Sequence, residues 1–78
     1  MKRWEVNHAG NVIAVENDVL SERLFVNCEL QDEMIGPAGR SRLWGQLPTG
    51  EMIKVSVGDG GVKVQCRIFV DNKLILSE

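Results

Sequence analysis

Apolar and polar positions alternate along much of the chain. Val62, Val64, Cys66, Ile68 and Val70 share one parity, and Lys63, Gln65, Arg67 and Phe69 share the other. A period of two sends successive side chains to opposite faces, the mark of a half-buried strand. Leu24 and Val26 alternate with Arg23 and Asn27 in the same way. Phe25 and Phe69 fall on the outward parity. They predict a second apolar strip, or strands covered on both faces.

The pattern predicts strands over 3–7, 11–15, 23–26, 29–34, 42–46, 52–57, 62–70 and 73–76. Turn signals separate them: Ala9-Gly10, Glu16-Asn17-Asp18, Asn27-Cys28, Gly36-Pro37-Ala38-Gly39, Pro48-Thr49-Gly50, Gly58-Asp59-Gly60-Gly61 and Asp71-Asn72. Residues 17–23 have room for one helical turn, too short for a stable helix.

The elements repeat. Trp4, Gly10, Ile13 and Val15 recur as Trp44, Gly50, Ile53 and Val55, and Arg23-Leu24-Phe25-Val26 recurs as Arg67-Ile68-Phe69-Val70. Each Arg-aliphatic-Phe-Val run leads into a turn pair, a charge and a Leu. Asn27-Cys28 and Asp71-Asn72 suit a two-residue turn because Asn and Asp tolerate positive φ. In such hairpins Phe25 faces Leu30, Arg23 faces Asp32, Phe69 faces Leu74 and Ile68 faces Ile75.

Eight short strands in two similar halves predict an all-β fold. The expected architecture is a small antiparallel β-sandwich of two four-stranded halves, one domain over residues 1–78. Gly36-Pro37-Ala38-Gly39 is the expected crossing between the sheets. Neither half can bury its apolar face alone.

Composition narrows the function classes. Hydrophobic residues make up 44% of the 78, too many for a disordered tail. The net charge of −2 argues against a general nucleic-acid or anionic-membrane binder, since phosphate binding is driven by clustered Lys and Arg. No apolar run approaches the ~20 residues of a membrane span, and no apolar stretch follows Lys2-Arg3, so a cytoplasmic protein is expected. Cys28 and Cys66 are then expected as thiols rather than a disulfide.

Several residues together carry a likeness to known proteins. They are Leu24-Phe25-Val26-Asn27, Glu29-Leu30-Gln31-Asp32, Arg40-Ser41-Arg42-Leu43-Trp44-Gly45, Ile53-Lys54-Val55 and Cys66-Arg67-Ile68-Phe69-Val70-Asp71-Asn72. On these the chain resembles a group of small bacterial β-domain proteins with no assigned activity. More remotely, through Trp4-Glu5-Val6 and Val26-Asn27-Cys28, it is similar to a β-sandwich domain of the Fas apoptotic inhibitory molecule. That likeness implies a compact antiparallel sandwich and a non-enzymatic role in protein interaction.

No residue set demands catalysis. One His and no Cys-x2-Cys leave no recognisable metal site. Cys66 shares parity with Val64 and Ile68, which places it in the core, where a thiol is inert. Gly58-Asp59-Gly60-Gly61 lacks the Gly-Lys-Ser/Thr ending of a phosphate loop. No cofactor is expected.

Two binding functions follow. The first is a protein-interaction module, self-associating or not, that uses Phe25 and Phe69 or a sheet edge. The second is a small oligonucleotide or carbohydrate binder using Arg40, Arg42 and Trp44, with Lys54 beside them. Trp44 decides between them. Its repeat mate Trp4 predicts a core residue, which favours protein interaction; an exposed Trp44 favours the second.

Overall fold

The structure is a computed structural model and describes residues 1–36, 40–59 and 63–78. Eight strands follow in order: β1 (Lys2–His8), β2 (Asn11–Asp18), β3 (Ser21–Val26), β4 (Glu29–Ile35), β5 (Arg40–Gln46), β6 (Met52–Asp59), β7 (Val64–Val70) and β8 (Lys73–Ser77). They form two antiparallel four-stranded meanders, β1-β2-β3-β4 and β5-β6-β7-β8. One buried cluster joins the inner faces. Trp4, Ile13, Val15, Leu24 and Val26 come from the first sheet, and Leu43, Ile53, Val55, Val57, Cys66, Ile68 and Val70 from the second. The two-half sandwich read from the pattern is the observed fold. Pro37-Ala38-Gly39 of the expected crossing, Gly60 and Gly61 of the glycine turn, and Val62, the expected start of the seventh strand, lie outside the described residues.

Turn chemistry explains the repeat. Asn27-Cys28 and Asp71-Asn72 all have positive φ, between 48° and 69°. Asn27 does more than turn the chain. Its amide donates to the Val12 carbonyl and its Oδ1 accepts from the Val12 amide. Asp71 makes the same pair of bonds with Met52, each 2.8 Å long. An Asn or Asp at this position extends the ladder by one residue, which is why both halves carry one.

Cys28 sits at φ 69° with a Cβ that this region disfavours, by about 1–2 kcal/mol. Cys28→Gly relieves that strain. The expected result is a urea midpoint raised by the equivalent of about 0.5–1 kcal/mol after glycine's extra unfolded-state entropy is offset. A lower midpoint contradicts the turn assignment.

Glu16-Asn17-Asp18, expected as a turn, lies within β2. Val19-Leu20 is a two-residue turn between Asp18 and Ser21, because β2 and β3 pair to their ends, and no helical turn forms. Arg23 faces Glu33 rather than Asp32, and Ile68 faces Leu76 rather than Ile75. Both shifts come from a bulge that sets one extra residue, Gln31 in β4 and Ile75 in β8, against the partner strand. Phe25 opposite Leu30 and Phe69 opposite Leu74 stand as read.

Trp44 does not take the core place expected from its repeat mate Trp4. β1 and β2 join through the two residues Ala9-Gly10, with His8 opposite Asn11. β5 and β6 join through three, Pro48-Thr49-Gly50. Leu47 N–H donates to Glu51 O, and Gly50 takes φ 97°. One extra loop residue slips the register by one, and a slip of one exchanges the two faces of a strand. Trp4 therefore lies opposite Val15, 4% exposed, whereas Leu43 takes the matching place opposite Val55. Trp44 faces outward, 53% exposed.

The sheets meet where β4 runs beside β5. Asp32 Oδ2 accepts from the Trp44 amide at 2.8 Å, and Gln31 Oε1 accepts from the Gln46 amide at 2.9 Å. The bulge at Gln31 aims these side chains at β5. They occupy edge amides that otherwise invite a foreign strand. The approach is close at Gly45, where a Cβ would stand 2.9 Å from Leu24 Cδ2 and 3.0 Å from Gln31 Oε1.

Candidate functional site

Charge separates between the halves. Residues 1–39 hold three Lys and Arg against seven Asp and Glu; residues 40–78 hold six against four. On the outer face of the first sheet, opposite charges meet. Arg3 bonds Glu16 and Glu5, and Arg23 bonds Glu33. Those hydrogen bonds hold both guanidinium groups above their ordinary pKa. Phe25 is half-buried within this neutralised face.

The outer face of the second sheet is built differently. One row across it reads Trp44, Lys54, Phe69 and Leu74, each opposite the next on β5 through β8. The next row reads Arg42, Ser56, Arg67 and Ser77, and the row beyond it Arg40, Gly58 and Gln65. Lys54 Nζ stands 5.9 Å from the Trp44 ring centre and 5.2 Å from that of Phe69. Such cation–π contacts hold an ammonium between two rings. Arg40, Arg42, Lys54 and Arg67 make no ion pair among the described residues. The face thus presents two aromatic rings and four cations.

Of the residues expected to bind, Arg40, Arg42 and Phe69 come together here beside Trp44, and Phe25 lies on the other sheet. Arg67, Ser56 and Gln65 join the face without having been singled out. Their parity on β6 and β7 was legible; their adjacency to β5 required the strand order.

The remaining chemistry is sparse. Among the described residues no group of three or more His, Cys, Asp and Glu is placed to hold a metal ion. His8 Nε2 lies 3.7 Å from Glu51 Oε2, bridging β1 and the β5–β6 connection. No helix of the described residues is long and apolar enough to cross a membrane.

Cys66 is buried, and burial, helped by the nearby Glu78 charge, pushes its thiol up to about 12. Cys28 is exposed, and both are free. A thiol reagent at pH 8 is expected to modify Cys28 alone in the native protein and both cysteines in urea. Rapid loss of both native thiols contradicts this placement of Cys66.

No family model matches the chain, and neither a curated protein nor a solved structure matches it significantly.

Proposed function

We propose that the chain is a non-catalytic binding module whose contact surface is the outer face of the second sheet, and that its ligand is single-stranded nucleic acid. The observation that carries this reading is the exposed Trp44, in register with Lys54 and Phe69 and one row from Arg42 and Arg67. Bases stack on exposed rings whatever their sequence, and a groove of cations follows the backbone. The objection from net charge concerns an average. Here the negative excess belongs to the first half, and the exposed cations of the second sheet stand without ion-pair partners among the described residues.

Tryptophan fluorescence tests the reading directly, because Trp4 is buried and Trp44 is not. Titration with oligothymidylate at low ionic strength is expected to quench the Trp44 emission, and added salt to reverse it. Absence of salt-sensitive binding ends the proposal.

A second reading keeps the protein-interaction role implied by the Fas apoptotic inhibitory molecule likeness. It rests on Val19, Leu20, Met34 and Ile35, exposed apolar residues at one end of the first sheet, where the Gly36 amide bonds Leu20 O. Self-association through this end predicts a dimeric mass in light scattering at high concentration. A monomeric mass removes that version.

A further inference from the structure

Beside the aromatic row, the outer face of the second sheet dips into a trough. Arg40 lines it from β5, Ser56 and Gly58 floor it from β6, and Gln65 and Arg67 close it from β7. The hollow holds about 60 Å³. Its shape follows from the residues. The central strand contributes a hydroxymethyl group and no side chain at all, while both flanking strands contribute long ones. The flanking backbones lie two strand spacings apart, about 10 Å. Two extended guanidinium groups can therefore close over a group seated on Ser56 and Gly58.

The donor set is one-sided. Among the described residues, two guanidinium forks, a hydroxyl and a carboxamide line the trough, and no carboxylate does. Guanidinium matches the paired oxygens of phosphate by two parallel charge-assisted hydrogen bonds. Neither arginine is engaged by a carboxylate among the described residues, so no internal ion pair must break first.

We propose that this trough seats one backbone phosphate of the single-stranded ligand, an inference that rests on the nucleic-acid reading above. Placement gives the ligand a direction and a minimum length. Trp44 lies four residues along β5 from Arg40, about 13 Å at strand rise. The strand then runs lengthwise along β5 to β7, with bases on Trp44 and Phe69 and a phosphate farther on between Arg40 and Arg67. A mononucleotide cannot occupy both ends; an oligonucleotide can.

The test uses the full chain, two probes and the double variant Arg40→Gln with Arg67→Gln, and Lys73→Gln as a control cation outside the trough. In NMR, sodium tripolyphosphate is expected to shift the amide signals of Ser56, Gly58 and Gln65 in the wild type, and not in the double variant. Oligothymidylate binding by the double variant is expected to lose about 0.7 from its salt slope, the value for one phosphate contact on a single strand. Lys73→Gln should leave that slope unchanged. If tripolyphosphate leaves those three amides unmoved, the trough is not an anion seat, even if oligothymidylate still quenches Trp44. If tripolyphosphate binds there and oligothymidylate does not bind at all, the seat stands and the nucleic-acid ligand falls; an acidic peptide then takes its place. An unchanged slope in the double variant overturns the seating of a backbone phosphate.

Discussion

Trp4→Ala is expected to lower the free energy of unfolding by about 3–5 kcal/mol, the range for truncating a buried aromatic. A chain of this length has a total of roughly 4–12 kcal/mol, so the variant should be partly unfolded at 37 °C. The loss has a specific origin. Trp4 stands on an edge strand, yet it closes the core over Val15 and Leu24 and is 4% exposed. Removing it empties that place with no strand beyond β1 to fill it. Its Nε1 is buried without an acceptor among the described residues. Trp4→Phe, which removes that donor and keeps a ring, should therefore cost less than Trp4→Ala. Urea unfolding followed by circular dichroism measures both. Trp44→Ala, in the same assay, should change stability by no more than about 0.5–1 kcal/mol, the size of an exposed cation–π contact. Equal losses at the two positions mean that the β5 register is wrong by one residue.

Binding should respond in the opposite order. Trp44→Ala is expected to weaken oligothymidylate binding by about 5- to 150-fold, corresponding to about 1–3 kcal/mol for one stacked base. The effect should fall on affinity with little change in salt slope, because a ring contributes no charge. Trp44→Phe should recover a large part of the loss. Lys54→Gln works through two routes: it removes a cation from the strand's path, and it frees the Trp44 and Phe69 rings that Lys54 now approaches. Its slope should therefore fall where that of Trp44→Ala does not. Fluorescence anisotropy of a labelled oligothymidylate reads all three variants. Wild-type affinity in Trp44→Ala removes the stacking platform and with it the carrying observation.

The strands and most of their turns were legible because a period of two and Gly, Asn and Asp punctuation are local properties. The exception is Glu16-Asn17-Asp18, expected as a turn, which lies inside β2 while the chain turns at Val19-Leu20. Strand ends agree with the sequence pattern to within a few residues wherever the chain is described. Pairing register was harder to read. Gln31 and Ile75 lie inside continuous strands, and nothing in Glu29-Leu30-Gln31-Asp32 announces a bulge. Its consequences are nonlocal: Arg23 meets Glu33, and Gln31 caps an amide of the other sheet. The candidate site was half legible for the same reason. Arg40, Arg42 and Trp44 are neighbours in sequence. Arg67 joins them only through β6, and the outward turn of Trp44 depends on counting Gly50 as the third loop residue where Gly10 is the second. That count was present in Pro48-Thr49-Gly50, since proline opening a three-residue loop with a terminal glycine suits the longer turn.

The same loop bears on how two similar halves come to differ. Point mutation remakes a surface one side chain at a time, and each change is judged against an intact core. The spacing from Trp4 to Val15 equals that from Trp44 to Val55, so no residue was added: a hairpin connection that draws one more residue out of its strand turns every inward position of that strand outward together. In β5 the inward set is Ser41, Leu43 and Gly45, continued by Leu47 just past the strand, and the outward set carries Arg40, Arg42 and Trp44. An edge strand has one paired neighbour, so such an exchange disturbs the fewest partners there. Two similar meanders thus differ in surface chemistry through the length of one loop, while the first keeps the tryptophan that holds the core.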